Sequence, residues 1–256
     1  MNKIRWILVL VGFAMLAMVE SRSTFILTDK PECSLKRQQS IDRMVSKLLI
    51  FGKYGQKYPT NSKELTKLCA DITANTNQLN KFVVECLKDQ AQHMAKIMIY
   101  SIKRTLKTYC SKKTKKQTKL LESGSCINTR VQKIDCIDKF SNSSKELVPY
   151  KIENEKIKFI CCYHVDMMRC FEKQMEDLSC LDDDARRYNM ELIKSIVVDL
   201  ANFACGEYTE DSDRCDNLKL PKDKYNPKEK FTSRVRSMFF VLLHVAESID
   251  NFAIDT

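Results

Sequence analysis

Two stretches of this chain, each opened and closed by a cysteine, align without a gap at a shift of 94 residues. The first begins Cys86-Leu87-Lys88-Asp89-Gln90-Ala91 and runs to Cys110. The second begins Cys180-Leu181-Asp182-Asp183-Asp184-Ala185 and runs to Cys205. Cys86, Leu87, Asp89, Ala91, Ile99, Ser101, Ile102 and Leu106 fall on Cys180, Leu181, Asp183, Ala185, Ile193, Ser195, Ile196 and Leu200, with the closing cysteines one residue out of register. In the first copy Leu87, Ala91, Met94, Met98, Ile102, Leu106 and Tyr109 recur in steps of three and four, the spacing of one helix face. Asp89 and Asp183 stand where a helix N-cap is expected, and Gly206 where a left-handed stop is expected. Each helix would be roughly 30 Å long. The two cysteines that flank it cannot meet, since a disulfide needs Cα atoms about 4.4–6.8 Å apart. Both helices are therefore expected to be pinned at each end to other segments. The second copy is apolar on more of its faces, which predicts that it is the more buried.

All twelve cysteines follow an apolar leader: Cys33, Cys69, Cys86, Cys110, Cys126, Cys136, Cys161, Cys162, Cys170, Cys180, Cys205 and Cys215. Lys3 and Arg5 precede a run of 14 apolar residues, Trp6 to Val19, which reads as a secretory signal over residues 1–21, too short to span a membrane comfortably. An even cysteine count behind such a leader predicts a disulfide framework and an extracellular destination. Connectivity stays open, because twelve cysteines allow on the order of ten thousand pairings. With no CxxC pair and three histidines, no metal site and no cofactor are expected.

The five prolines, Pro31, Pro59, Pro149, Pro221 and Pro227, all sit at expected boundaries, and glycine is scarce. Few breakers and long helical periods define the class: all-α, a disulfide-stapled helical array with two pseudo-repeated halves. Residues 22–61 form an N-terminal helical segment with a stripe from Leu35 to Leu49. Residues 62–215 form the cysteine-rich domain, its pseudo-repeats near 62–136 and 155–215. Within it, separate helices are expected from Asn61 toward Cys69 and from Thr76 to Glu85, a lysine-rich connection over 111–119, and a helix from Val131 to Phe140. Asn142-Ser143-Ser144 is a glycosylation sequon, expected on a polar loop. Residues 216–256 read as a linker followed by an amphipathic helix from Phe231 to Phe252.

The cysteine order resembles a known family. Leu68-Cys69, Glu85-Cys86-Leu87, a long helix ending Tyr109-Cys110, Ser125-Cys126, Cys136, Cys161/Cys162, Cys170, Cys180 and a helix ending Phe203-Ala204-Cys205 are similar to the insect haemolymph glycoproteins named for a mass of roughly 27 kDa, a size with room for a core. The likeness covers about residues 62–215. It implies a secreted, glycosylated, helical protein and carries over no functional residue. Adjacent Cys161-Cys162, the lysine-rich loop and the extension after Cys215 depart from it.

Three features bear on function. Cys161-Cys162-Tyr163-His164-Val165-Asp166 is similar to the helix of secreted phospholipases A2, where a His activates water beside a calcium-binding Asp. Here the two are separated by Val165, so on a helix they leave about 200° apart, and no Gly-rich calcium loop is present. The expectation is no catalytic residue, no cavity shared by His164 or Asp166 with other carboxylates, and different partners for Cys161 and Cys162. Lys112, Lys113, Lys115, Lys116 and Lys119 form a basic run on a chain of net charge +10, a solvated loop or a contact for polyanions. Methionines on the helical stripes, Met94, Met98, Met167, Met168, Met175, Met190 and Met238, are core filler or the lining of an apolar pocket. The reading is a secreted, non-enzymatic binding protein of haemolymph or a glandular secretion, with a carrier of a small apolar ligand as runner-up and a phospholipase-like hydrolase third.

Overall fold

Both cysteine-bounded stretches are helices of 22 residues with equivalent limits, Asp89–Cys110 and Asp183–Ala204. The computed structural model describes residues 26–48, 56–111, 114–130, 134–152, 155–225 and 235–249; the leader at 1–21 lies outside them. Among the described residues are eight α-helices: α1 (Leu35–Val45), α2 (Ser62–Cys86), α3 (Asp89–Cys110), α4 (Lys115–Asn128), α5 (Cys136–Leu147), α6 (Glu155–Glu176), α7 (Asp183–Ala204) and α8 (Met238–Glu247). No strand longer than an isolated bridge occurs among them.

Several boundaries differ from expectation for identifiable reasons. α2 is one helix, because nothing between Cys69 and Thr76 breaks it; buried Thr76 returns its hydroxyl to the Ile72 carbonyl at 2.7 Å. The caps before the two long helices fall one residue earlier than expected. Asp182, not Asp183, accepts from the Ala185 N–H at 2.6 Å, and that bond holds its carboxyl below the usual range. At the equivalent place Lys88 offers no cap, and Glu247, arriving from α8, accepts from the Ala91 N–H at 2.9 Å. Gly206 has φ +48°, a left-handed stop just after α7. The sequon is helical: exposed Asn142 lies on α5, with the Ser144 side chain buried beneath it.

All twelve cysteines are paired. Cys33–Cys86 and Cys69–Cys110 staple the first half, and Cys126–Cys180 and Cys161–Cys205 staple the second in the same order, spanning 53 and 41 residues against 54 and 44. Cys136–Cys170 and Cys162–Cys215 are extra to the second half. Adjacent Cys161 and Cys162 thus reach different segments, as their helical divergence requires. Taken singly, closing a loop of about 50 residues removes unfolded-state entropy equivalent to about 4 kcal/mol. Such a framework belongs to an oxidising, extracellular type of compartment. No helix among the described residues is long and apolar enough to cross a membrane.

The halves meet where α3 packs antiparallel on α7. Ser101 donates to Asp199 at 2.7 Å, Thr105 donates to Ser195 at 3.0 Å, and Arg104 pairs with Asp199 at 2.8 Å. Since 195 and 199 are the shifted equivalents of 101 and 105, each helix presents nearly the same patch to the other, as in a two-fold interface. A second link is Tyr58, fully buried, whose hydroxyl is bonded to Asn189 and whose backbone exchanges bonds with Asn128 at 2.8 and 2.9 Å. Gly124 permits this approach, because a Cβ there would lie 2.3 Å from the Pro59 carbonyl oxygen.

α8 corrects the expectation of an amphipathic C-terminal helix. Every residue from Met238 to Ala246 is buried, so it is a core helix apolar on all sides, packed among α1, α3 and α5. Its two ends are held by buried charges of opposite sign. Asp42 of α1, 2% exposed, accepts from the Arg236 and Ser237 N–H groups at 2.7 and 2.9 Å and from the Ser237 hydroxyl at 2.6 Å. Lys156 of α6, also 2% exposed, donates to the carbonyl and hydroxyl oxygens of Ser248 at 2.8 and 2.9 Å. An anion at the N-terminus and a cation at the C-terminus both complement the helix dipole.

Candidate functional site

Two concavities stand out, and both are lined by α7. The first is an apolar groove between the halves. Leu65, Leu68 and Ile72 of α2, Met167 and Phe171 of α6, Leu192 and Ile193 of α7 and Met238 of α8 form its buried floor. Half-buried Ile102, Leu106, Ile196 and Val197 stand at its mouth. Ile102 and Ile196 occupy equivalent positions in α3 and α7, so the groove lies along the seam where the two halves meet. Cys69–Cys110 forms part of one wall and fixes the separation of α2 from α3.

The groove offers a ligand no free hydrogen-bonding group. Its hydroxyls are those of Thr105, already bonded to Ser195, and Tyr109, which donates to the Tyr188 carbonyl at 3.3 Å. Burial pushes the Tyr109 phenol up to about 12, so it stays protonated. The enclosed volume is about 90 Å³. One water needs roughly 10–15 Å³ and whole drug-sized ligands about 300–1,000 Å³. This space therefore suits a slender apolar segment rather than a bulky polar molecule.

The second concavity, about 510 Å³, lies between α6, α7 and the turn that follows Cys205. His164, Lys194, Tyr208, Glu210 and Asp211 line it together with Val165, Val198 and Ala201. Cys161–Cys205 ties the turn to α6 beneath it. Lys194 bridges Glu210 at 2.8 Å and Glu172 at 3.4 Å. Burial alone would lower its pKa, but those two carboxylates outweigh the burial and leave it raised. Burial lowers the His164 pKa, and its buried Nε2 has no hydrogen-bond partner among the described residues. Leaving such an atom unpaired costs about 1–3 kcal/mol.

This arrangement corrects one expectation: His164 does share a cavity with carboxylates, Glu210 and Asp211, which reach it from a turn 40-odd residues on rather than from its own helix. Asp166 is exposed and does not join them. Cys205, the cysteine of the cleft, is bonded to Cys161 and so offers no thiolate. Asp135, Cys136 and Cys170 bring three possible ligand atoms within 4.8 Å, but both sulfurs belong to one disulfide.

The lysine run also reads differently in three dimensions. Lys112 and Lys113 lie outside the described residues. Lys115, Lys116 and Lys119 open α4 and each faces an acid of the α7 region: Lys115–Asp184 at 3.8 Å, Lys116–Glu191 at 2.8 Å, Lys119–Asp182 at 3.4 Å. Lys119 also bonds Glu122 at 3.1 Å, and these bonds raise its pKa. Acids of the α7 region are thus laid onto the lysines.

The apolar faces of α7 predict that it is the more buried of the two long helices, and the structure shows the reverse. Eight residues of α3 are buried against four of α7. Ile196, Val197, Val198, Leu200 and Ala201 are half-buried and Phe203 is 47% exposed. Apolar character on several faces signalled lining, not burial. Of the stripe methionines, Met167 and Met238 reach the groove. No known protein family, curated protein or solved structure matches this chain.

Proposed function

We propose that this is a secreted, non-enzymatic binding protein of an extracellular fluid, and that it carries a small apolar ligand in the groove between its halves. The groove itself carries the reading: an apolar recess whose few polar groups are already satisfied, walled by helices that disulfides hold in place. A rigid, pre-formed site loses little entropy on binding, so even a small contact area yields usable affinity. The six disulfides and the resemblance of the cysteine order to insect haemolymph glycoproteins support an extracellular setting. A glycan on exposed Asn142 would suit that setting.

The test is a titration of the intact protein with 1-octanol, followed through isoleucine methyl NMR signals. Ile72, Ile102, Ile193 and Ile196 should shift together while Ile26 and Ile249, away from the groove, stay put. Ile196→Glu should abolish the shifts. Shifts spread over all isoleucines, or octanol binding unaffected by Ile196→Glu, would refute the carrier reading. Native mass spectrometry of protein from its own source would then identify the natural cargo.

A further inference from the structure

We propose that the cleft bounded by α6, α7 and the 205–211 turn is a second binding site, for a small organic cation of the primary-amine type. The argument begins with size. At about 510 Å³ the cleft falls within the range of sites for drug-sized ligands.

Charge decides the class of ligand. The chain as a whole carries +10, yet this cleft and its rim set Glu172, Glu210 and Asp211 against Lys194 and Arg169. Both cations are engaged: Lys194 spans two carboxylates, and Arg169 donates to the Glu210 backbone carbonyl at 3.3 Å. The Asp211 carboxylate is exposed and has no ion-pair partner among the described residues. One negative charge is therefore left over in a local field opposite in sign to the rest of the protein. An anion would meet that surplus, whereas a cation gains from it.

The remaining groups fit the same ligand. An ammonium has three N–H donors and no acceptor, so it needs several lone pairs at one point. The carboxylates of Asp211 and Glu210 supply them, and the His164 ring lines the same cleft. Tyr208 offers an aromatic ring to the cation, and Val165 and Val198 offer an apolar wall to its hydrocarbon body.

Three probes of similar shape separate the possibilities: phenethylamine, 3-phenylpropionate and 2-phenylethanol. Each is titrated into the intact protein by calorimetry, with the His164 ring signals followed by NMR. The amine should bind saturably and move those signals, and the acid and the alcohol should not. Asp211→Asn should weaken the amine roughly tenfold. Lys194→Gln should tighten it, because removing a cation deepens the negative field; Asp211 is exposed and Lys194 half-buried, so both variants should fold. Preferential binding of 3-phenylpropionate, weakening of the amine by Lys194→Gln, amine binding that leaves His164 unmoved, or saturation by none of the three would each overturn the proposal. None of these outcomes depends on octanol binding in the groove, so the two sites stand or fall separately.

Discussion

α3 and α7 have the same length, equivalent limits and nearly the same patch at their mutual contact, yet one is a core helix and the other a surface-lining helix. The cause is α8. It packs on α3, fills the space among α1, α3 and α5, and caps the α3 N-terminus through Glu247. α8 makes no such cover for α7, whose apolar side chains are left to line the groove and the cleft. A pseudo-symmetric scaffold with one asymmetric helix thus gives one half to stability and the other to binding.

The largest way to break this contrast is to release α8. Asp42→Ala strips an acceptor from the Arg236 N–H and from the buried Ser237 N–H and hydroxyl, and Lys156→Met strips a donor from the Ser248 carbonyl. Each should cost about 2–4 kcal/mol in urea unfolding, since buried groups left unpaired bear their full desolvation cost.

A comparable effect should follow acidification. His244, fully buried in α8 beside Gln38 at 3.2 Å, has its pKa lowered by burial from 6.5 to about 4. Between those values the unfolded chain binds the proton and the folded chain does not. Stability from this group is therefore complete above pH about 6.5, falls as pH drops, and levels off below about 4, a change of about 3 kcal/mol. In His244→Gln the pH slope of unfolding free energy across that window should flatten by one proton.

The smallest effect belongs to the lysines of α4. Exposed ion pairs contribute about 0–1 kcal/mol. Because Lys115, Lys116 and Lys119 already face carboxylates, replacing all three with Gln should barely move the salt concentration at which the protein leaves heparin. A large drop would show that polyanions displace the acids, restoring the basic surface that the lysine run suggested.

What was legible in the sequence was local and periodic. Steps of three and four placed α3 and α7, cysteines at helix ends showed that each helix had to be pinned elsewhere, and divergence along a helix separated Cys161 from Cys162. What was not legible depended on distant partners. Nothing near Met238 says that Asp42 and Lys156 will hold the ends of its helix, 196 and 82 residues away in sequence. The meeting of His164 with Glu210 and of Lys116 with Glu191 has the same origin. Apolar residues on many faces of α7 marked a helix with several neighbours, and only the fold shows that one of those faces lines a groove.

Native-state hydrogen exchange along both long helices tests the contrast most directly, because protection reports how much packing must open to expose each amide. The amides of 102–110 in α3 should exchange more slowly than those of 196–204 in α7, position by equivalent position. Equal protection in the two helices, or slower exchange in α7, would contradict the claim that α8 buries one copy and leaves the other free to bind.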